Sequence, residues 1–407
     1  GFVSANTIAH ASSHDQSVVM YSDNGTGKLI QHIENSSVTQ NITIPDALLT
    51  FDVNDVFQFA YDGDTGKIWV GKNNTYVAND GGTDGNPSNG SNQTFTLADT
   101  TIPMTPLADH GGVAWTGLAN FGQLTNAYTA PTDFNPLSTA NLPEPTIGPN
   151  STSQADNHFD TVLYTGNSSD KTISGLGFQP DWVWSKSRSL AQNHHIHDSA
   201  RGVELRLNAE ANNAEISDGE LKTFTSDGFT FDTAGATNTN NATNVAWCWH
   251  ANSGTATATI SESGDNPAAV VQANPTAGFS LITYTGTGDA GTIAHGLGAV
   301  PTMMIIKNRD VADAWAVYHG ANTAAPATDY LVLNTTAATA DAATYWADTA
   351  PTSSVFTVHD AHSVNADGEK YVAYCFAEVE GYSKFGKYIG NGVVDGPFVY
   401  LGFRPAW

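Results

Sequence analysis

Tyr164-Thr165-Gly166, followed by Gly175-Leu176-Gly177-Phe178-Gln179-Pro180-Asp181-Trp182-Val183-Trp184-Ser185-Lys186-Ser187-Arg188, decides the fold, because its pattern returns about 120 residues later and a fixed long period marks an array. The second copy reads Tyr284-Thr285-Gly286, then Gly296-Leu297-Gly298-Ala299-Val300-Pro301, then Met304-Ile305-Ile306-Lys307-Asn308-Arg309. A third opens at Tyr388-Ile389-Gly390 and stops part-way through the pattern at Gly402-Phe403-Arg404-Pro405-Ala406-Trp407, so the chain is expected to be a portion of a longer polypeptide. The match extends beyond the openings. Arg188 aligns with Arg309, Leu205-Arg206-Leu207-Asn208 with Leu331-Val332-Leu333-Asn334, Phe229-Thr230-Phe231 with Phe356-Thr357-Val358, and Val245-Ala246-Trp247-Cys248-Trp249 with Val372-Ala373-Tyr374-Cys375-Phe376.

Most of these segments are short apolar or alternating runs bounded by Gly, Asn, Asp, Ser and Pro, which is the signal of strands. No stretch keeps a helical period. Each copy is therefore expected to be a small all-β domain, most economically a two-sheet sandwich, and the chain a row of tandem β-sandwich domains. The divisions fall at 1–145, a Pro-rich linker at 146–156, the two copies at 157–265 and 266–385, and the start of a third at 386–407.

Composition bounds the function. A chain of 407 residues is long enough for about three domains with cores of their own. Its formal net charge of −25 would be repelled by a nucleic-acid backbone or an anionic membrane, so neither is expected as a partner. No apolar run reaches transmembrane length. The two cysteines, Cys248 and Cys375, stand at matching positions of different copies and read as buried free thiols rather than a disulfide.

The first section carries a hairpin signal: the run Phe51 to Tyr61 alternates in its latter half, Asp62-Gly63-Asp64-Thr65-Gly66 turns the chain, and Lys67-Ile68-Trp69-Val70-Gly71-Lys72-Asn73 returns. Downstream lie Gly85-Asn86-Pro87, the constrained edge Ile102-Pro103-Met104-Thr105-Pro106-Leu107, and Asn120-Phe121-Gly122-Gln123. In order and spacing, Asp62 to Trp69, Lys72-Asn73, Gly85-Asn86-Pro87 and Asn120-Phe121-Gly122-Gln123 resemble the SPRY family of β-sandwiches. That resemblance covers roughly residues 1 to 142, without the family's opening strands, and implies a lectin-like binding module that recognises through loops at one end. The repeated opening, with Asp198-Ser199-Ala200-Arg201-Gly202 and the Val-Ala-Trp-Cys-Trp ending, resembles a domain of bacteriophage tail fibres and related appendages, often marine, where it follows a SPRY-like domain. The second copy departs from it, with His319-Gly320 in place of Asp198-Ser199 and no counterpart of Arg201.

Candidate site residues fall into three groups. His194-His195-Ile196-His197-Asp198 packs four residues of metal-ligand type into five, with His195 and His197 the candidates, although adjacent ligands on a strand or loop point in different directions and no Cys or second His cluster lies at a zinc-like spacing. A solvent-facing polar loop is the plain alternative. Asp62 and Asp64, with the similar Asp80-Gly81-Gly82-Thr83-Asp84, offer clustered oxygens of the kind calcium takes, although neither run completes a calcium loop and turn chemistry explains both. For a surface ligand the candidates are Asn79, Asp84 and Asn86 on a polar loop, and Tyr345 and Trp346 as rings able to stack on a sugar. Trp182 with Trp184, and Trp247 with Trp249, alternate and read as core. Asp198 and Arg201 read as an ion pair that ties down their loop.

Paired catalytic carboxylates at glycosidase spacing are not found; Glu215-Ile216-Ser217-Asp218-Gly219-Glu220 is the nearest acidic run and its spacing differs. No nucleophile elbow, phosphate loop or zinc-protease motif occurs either. The expectation is a non-enzymatic virion appendage protein, a tail fibre or related fibre. It would bind a host cell-surface glycan or receptor, contact other virion proteins and, by the resemblance, assemble as a homotrimer. The alternatives are a purely structural or decoration virion protein and a polysaccharide-depolymerising tailspike.

Overall fold

The computed structural model describes the backbone of residues 16–22, 28–34 and 37–43, and then residues 54–97, 120, 124–136, 145–148, 151–233, 235–394 and 396–405; in the first three segments side chains are described only at Ile42 and Thr43. The edge segment Ile102 to Leu107 and the Phe121-Gly122-Gln123 piece lie outside the described residues. The chain divides into two compact units, Gly1–Pro143 and Glu144–Trp407. Among the described residues the regular elements of both are almost all antiparallel strands, so the all-β sandwich class read from the alternating runs is what the chain adopts. Among the described residues no helix is long and apolar enough to cross a membrane.

In the first unit Gln16–Ser22 (β1), Lys28–Glu34 (β2) and Ser37–Thr43 (β3) form one sheet. Phe57–Asp62 (β4), Lys67–Lys72 (β5) and Thr75–Val77 (β6) form a second, and Phe95–Thr96 (β7) pairs with β5. The expected hairpin is β4–β5, with Asp62 opposite Lys67. Its turn closes because the Gly66 amide reaches the Asp62 carbonyl at 2.9 Å, and Gly66 takes the positive φ that a side chain would resist. Strand alternation splits β5 between two cores: Ile68 and Val70 join Ile42, Val77 and Phe95, while Trp69 turns to Ala60, Tyr76 and Phe134.

The second unit holds the two copies. In the first, the strands are Phe159–Thr165 (β8), Lys171–Ser174 (β9), Trp182–Ser187 (β10), His195–Asp198 (β11), Gly202–Asn208 (β12), Ile216–Ser217 (β13), Leu221–Thr225 (β14), Gly228–Phe231 (β15) and Thr243–Trp249 (β16). Ala258–Ile260 (β17) and Ala269–Asn274 (β18) follow as a hairpin. In the second copy they are Phe279–Thr285 (β19), Gly291–Ala294 (β20), Met303–Asn308 (β21), Ala316–His319 (β22), Asp329–Val332 (β23), Ala340–Asp341 (β24), Val355–Val358 (β25) and Lys370–Phe376 (β26), with one-turn helices Ala343–Trp346 (α1) and His362–Asn365 (α2).

The large sheet of the first copy runs β13-β12-β11-β10-β16-β8, and that of the second runs β24-β23-β22-β21-β26-β19, extended by β18 and β17. Strand order is the same in both. Registers agree as well: Val183 faces Cys248 and Trp182 faces Trp249, just as Met304 faces Cys375 and Met303 faces Phe376. One alignment changes. Leu207 sits opposite Ile196 and Leu331 opposite Val317, so Leu331 corresponds to Leu207 and not to Leu205, a displacement of two residues.

Each large sheet has a small sheet on its outer face, β14-β15-β9 in the first copy and β20-β25 in the second, with an apolar core between. The inner faces of the two large sheets meet each other. Trp182, Ile196, Leu207 and Trp249 interlock there with Phe279, Leu281, Ile305, Trp315, Val372, Tyr374 and Phe376. The copies therefore share a core. Residues 386–394 and 396–405 form no strand, and Tyr388, Ile389, Phe398 and Tyr400 are exposed.

The repeated Tyr-Thr-Gly opening now has a physical account. Tyr164 donates its hydroxyl hydrogen to the Thr237 carbonyl at 2.9 Å, and Tyr284 does the same to Val364. Just beyond, a fully buried amide brackets the turn in each copy: Asn238 accepts from the Asn167 amide and donates to the Ser169 carbonyl, while Asn365 accepts from Thr287 and donates to Asp289. The glycine lets the backbones close. A Cβ at Gly166 would lie 2.2 Å from the Thr239 carbonyl oxygen, and one at Gly286 would lie 2.1 Å from that of Ala366. Gly286→Ala is accordingly expected to destabilise the second unit by about 1–3 kcal/mol, read as a lower denaturant midpoint; an unchanged midpoint would show that the bracket yields freely.

Candidate functional site

Strand β11 distributes the His-rich run between two faces. Ile196 and Asp198 point to the shared core, whereas His195 and His197 point between the large and small sheets of the first copy, with His197 against Phe231. His194 lies outside this pair and accepts a hydrogen bond from the Trp184 indole at 3.0 Å. The run is no solvent-facing loop, since His195, His197 and Asp198 are all buried.

On the outer face His195 is held from both ends. Its Nε2 lies 2.8 Å from Arg206 Nη1 and its Nδ1 lies 2.5 Å from Glu220 Oε2. A guanidinium only donates, so Nε2 accepts and the ring proton sits on Nδ1, where it donates to Glu220. Glu220 Oε1 accepts from the Ala236 amide at 2.9 Å. Arg206 Nε lies 2.5 Å from Asp218 Oδ2, an ion pair whose angle is too bent for a hydrogen bond from Nε. Asp218, at the exposed edge, accepts from the Glu220 amide. His197 completes the group and is different in kind: it is fully buried and neither ring nitrogen has a hydrogen-bond partner. Burial, helped by the nearby Arg201 charge, holds His197 well below its ordinary pKa, so the ring is neutral at neutral pH. The ligand atoms of His197, Asp218 and Glu220 all lie within 4.8 Å of one another.

Of the residues expected to hold a metal, His197 alone belongs to a three-ligand group among the described residues. His195 has both nitrogens engaged and stands behind Glu220. Asp62 and Asp64 form no such group. Asp62 accepts from the amides of Asp64 and Thr65 and from the Thr65 hydroxyl, and that hydroxyl is the main cause of its lowered pKa, as in a turn. Asp218, Glu220 and Arg206 were not named as site residues by sequence. Two of them belong to the acidic run already noticed, but only the β11–β12 pairing and the turn into β14 bring that run back beside the histidines.

On the inner face the Asp198–Arg201 pair is a clamp between copies. Arg201 Nε meets Asp198 Oδ2 at 2.5 Å, Nη1 meets Glu215 Oε2 at 2.9 Å, and Nη2 donates to the Ile196 carbonyl at 3.0 Å. From the second copy, the Tyr374 hydroxyl donates to Asp198 Oδ2 at 2.7 Å, and Arg309 holds Glu215 through Nε and Nη2. One clamp serves both copies, which explains why the second has no counterpart of Arg201.

The surface-ligand candidates separate. Asn79, Asp84 and Asn86 are exposed on the loop between β6 and β7. Tyr345 is half-buried and stacked on Tyr330 at 3.8 Å, with the rings nearly parallel. Trp346 is a correction: it is 1% exposed, its indole donates to the Asp329 carbonyl, and α1 presses it into the second copy's core, so it has no free face for a sugar.

No curated protein and no solved structure matches this chain. A family model described as a domain of unknown function, DUF7483, matches residues 154–407. The matched span contains both copies, their shared core and the His197 cluster, and by that match the chain belongs to the DUF7483 family.

Proposed function

We propose that this chain is the recognition part of a virion appendage, a tail-fibre-type protein that binds a host-surface glycan through exposed loops and catalyses nothing. The observation that carries this reading is the loop between β6 and β7. Its frame is fixed from below: the Trp69 indole donates to the Ser91 carbonyl at 2.9 Å, Lys67 Nζ donates to Gly90 at 2.8 Å, and Asn86 and Ser91 exchange backbone hydrogen bonds. Asn92 ties across to Asp84 at 2.8 Å. Asn79, Thr83, Asp84, Asn86, Ser88 and Asn89 are left facing solvent. A rigid loop with outward amides and a carboxylate suits hydroxyl-rich ligands, because little chain entropy is lost when the ligand seats. The half-buried Tyr330–Tyr345 stack offers an aromatic surface in the other unit.

The non-catalytic part of the reading is supported by how the buried carboxylates are used. Asp181 accepts from Ser199, Ala251, Ser253 and Gly254, and Asp198 and Glu215 are taken by the clamp. The virion setting and a trimeric assembly rest on the tail-fibre and SPRY resemblances; several copies on one particle would raise weak single-site binding, of roughly millimolar to micromolar Kd, by avidity.

The test incubates purified protein with host envelope polysaccharide and follows retention and new reducing ends together. Retention without new ends, weakened at least about fivefold by the double variant Asn79→Ala, Asn86→Ala, is the expected result, since two lost polar contacts remove about 1 kcal/mol or more. Released oligosaccharides would make the protein a depolymerase. No retention and no release would make it a structural component.

A further inference from the structure

We propose that His197, Asp218 and Glu220 form a binding site for a first-row divalent cation of the zinc type, built into the first copy alone. The inference goes beyond the glycan reading and does not depend on it. Imidazole nitrogen with two carboxylates is a donor set for such ions. Tetrahedral bonds of about 2.0–2.2 Å set ligand atoms roughly 3.3–3.6 Å apart, so a group lying within 4.8 Å closes around an ion by side-chain movements of up to about 1 Å.

Three observations point to a ligand rather than to ordinary packing. His197 is fully buried with both nitrogens unpartnered, a state that costs about 1–3 kcal/mol per group unless something fills it. The arrangement of donors leaves the carboxylates open to a cation: Arg206 pairs with Asp218 and donates to His195 Nε2, and Glu220 Oε2 meets the His195 ring rather than a guanidinium. The remaining nearby charge, Arg201, is spent on Asp198 and Glu215.

The third observation is internal to the molecule. The registers equate His195 with Ala316 and His197 with Tyr318 in the second copy, where both pack in an apolar core beside Trp346. The fold is therefore built at this position without any polar cluster, and the first copy carries one that folding does not require. The outer arrangement also matches what metal ligands need around them. His195 donates to Glu220 and is itself fixed by Arg206, so the ligating carboxylate is oriented by a second layer, and the exposed Asp218 gives the ion a way in.

The test strips the full chain with chelator, then titrates it with Zn2+ alone by calorimetry, with Co2+ absorption as a second readout. One equivalent bound with a Kd of about 10 μM or tighter is expected, the Kd rising about a hundredfold in His197→Gln and about tenfold in Asp218→Asn. Circular dichroism checks that both variants fold; if His197→Gln does not, Asp218→Asn decides, because it keeps the shape of the side chain and an acceptor for the Glu220 amide. Absence of binding to the wild type, or binding unchanged in Asp218→Asn and in any folded His197→Gln, overturns the site.

Discussion

Arg201→Ala is expected to lower the stability of the second unit by about 3–5 kcal/mol, because it leaves Asp198 without its guanidinium at a fully buried place. Asp198 and Arg201 have fully buried side chains 2.5 Å apart, and the clamp's second guanidinium, Arg309, reaches Glu215 rather than Asp198. Tyr374 would still donate to Asp198, yet its hydroxyl cannot neutralise a charge; burial and the Asp198 carboxylate both push its pKa up and keep it a neutral donor. Arg309→Ala should cost less, about 1–2 kcal/mol, since Glu215 keeps Arg201 and is partly open to solvent. The pH dependence carries a definite sign. Burial alone would raise Glu215, but the bonds from Arg309 and Arg201 outweigh it and hold the group below its ordinary 4.5. A depressed acid contributes stability above its unfolded value and loses it as pH falls through the folded one. The gap between wild type and Arg201→Ala should therefore be full at pH 7 and shrink below about pH 4.5. Urea midpoints at a series of pH values check this, and a gap under about 1 kcal/mol at pH 7 would mean that the clamp is incidental.

Much of the fold was legible because the relevant residues announce themselves by period. Leu205 and Leu207, Phe229 and Phe231, and the Trp pairs alternate, and alternation is what a strand between two layers imposes. The two-residue misalignment of Leu331 has the same origin. A slip of two leaves every side chain on its own face, so apolar pattern cannot detect it, and the bulge between Ile196 and Asp198 is what sets the true register. Helices α1 and α2 span four residues each, too few to show a period, and this is why the sequence offers Trp346 as a ring able to stack on a sugar rather than as core. At the candidate site the histidines were visible as ligand types in one short run. Their partners were not, because Asp218 and Glu220 join them only through hairpin geometry, and because no local signal distinguishes a buried Asp or Glu from a surface one. The interlock between copies was hidden for a related reason: a strand pattern says that a face is buried but not what buries it.

Trp182→Ala is expected to destabilise both copies together by about 3–5 kcal/mol, although the residue belongs to the first. Trp182 is 1% exposed and its ring lies 4.2 Å from that of Trp249, 4.5 Å from Tyr374 and 5.9 Å from Phe279, so truncation opens a void lined by side chains of both large sheets. Each copy carries its own reporter. Cys248 and Cys375 are fully buried in matching strands, and burial raises both thiols, that of Cys375 to about 12, so neither reacts until its copy opens. Mass-resolved labelling in urea should find one midpoint for the two thiols in the wild type. In Trp182→Ala both should move down by the same amount, about 1–2 M for m of about 2–3 kcal/mol/M. Separate midpoints in the wild type would mean that each copy is stable on its own outer core and that the inner interface merely docks them. A common midpoint that splits only in the variant would place the coupling in this one side chain. Equal displacement of both is what a core held jointly by two sheets requires, since neither inner face can leave its partner without exposing its aromatic surface to water.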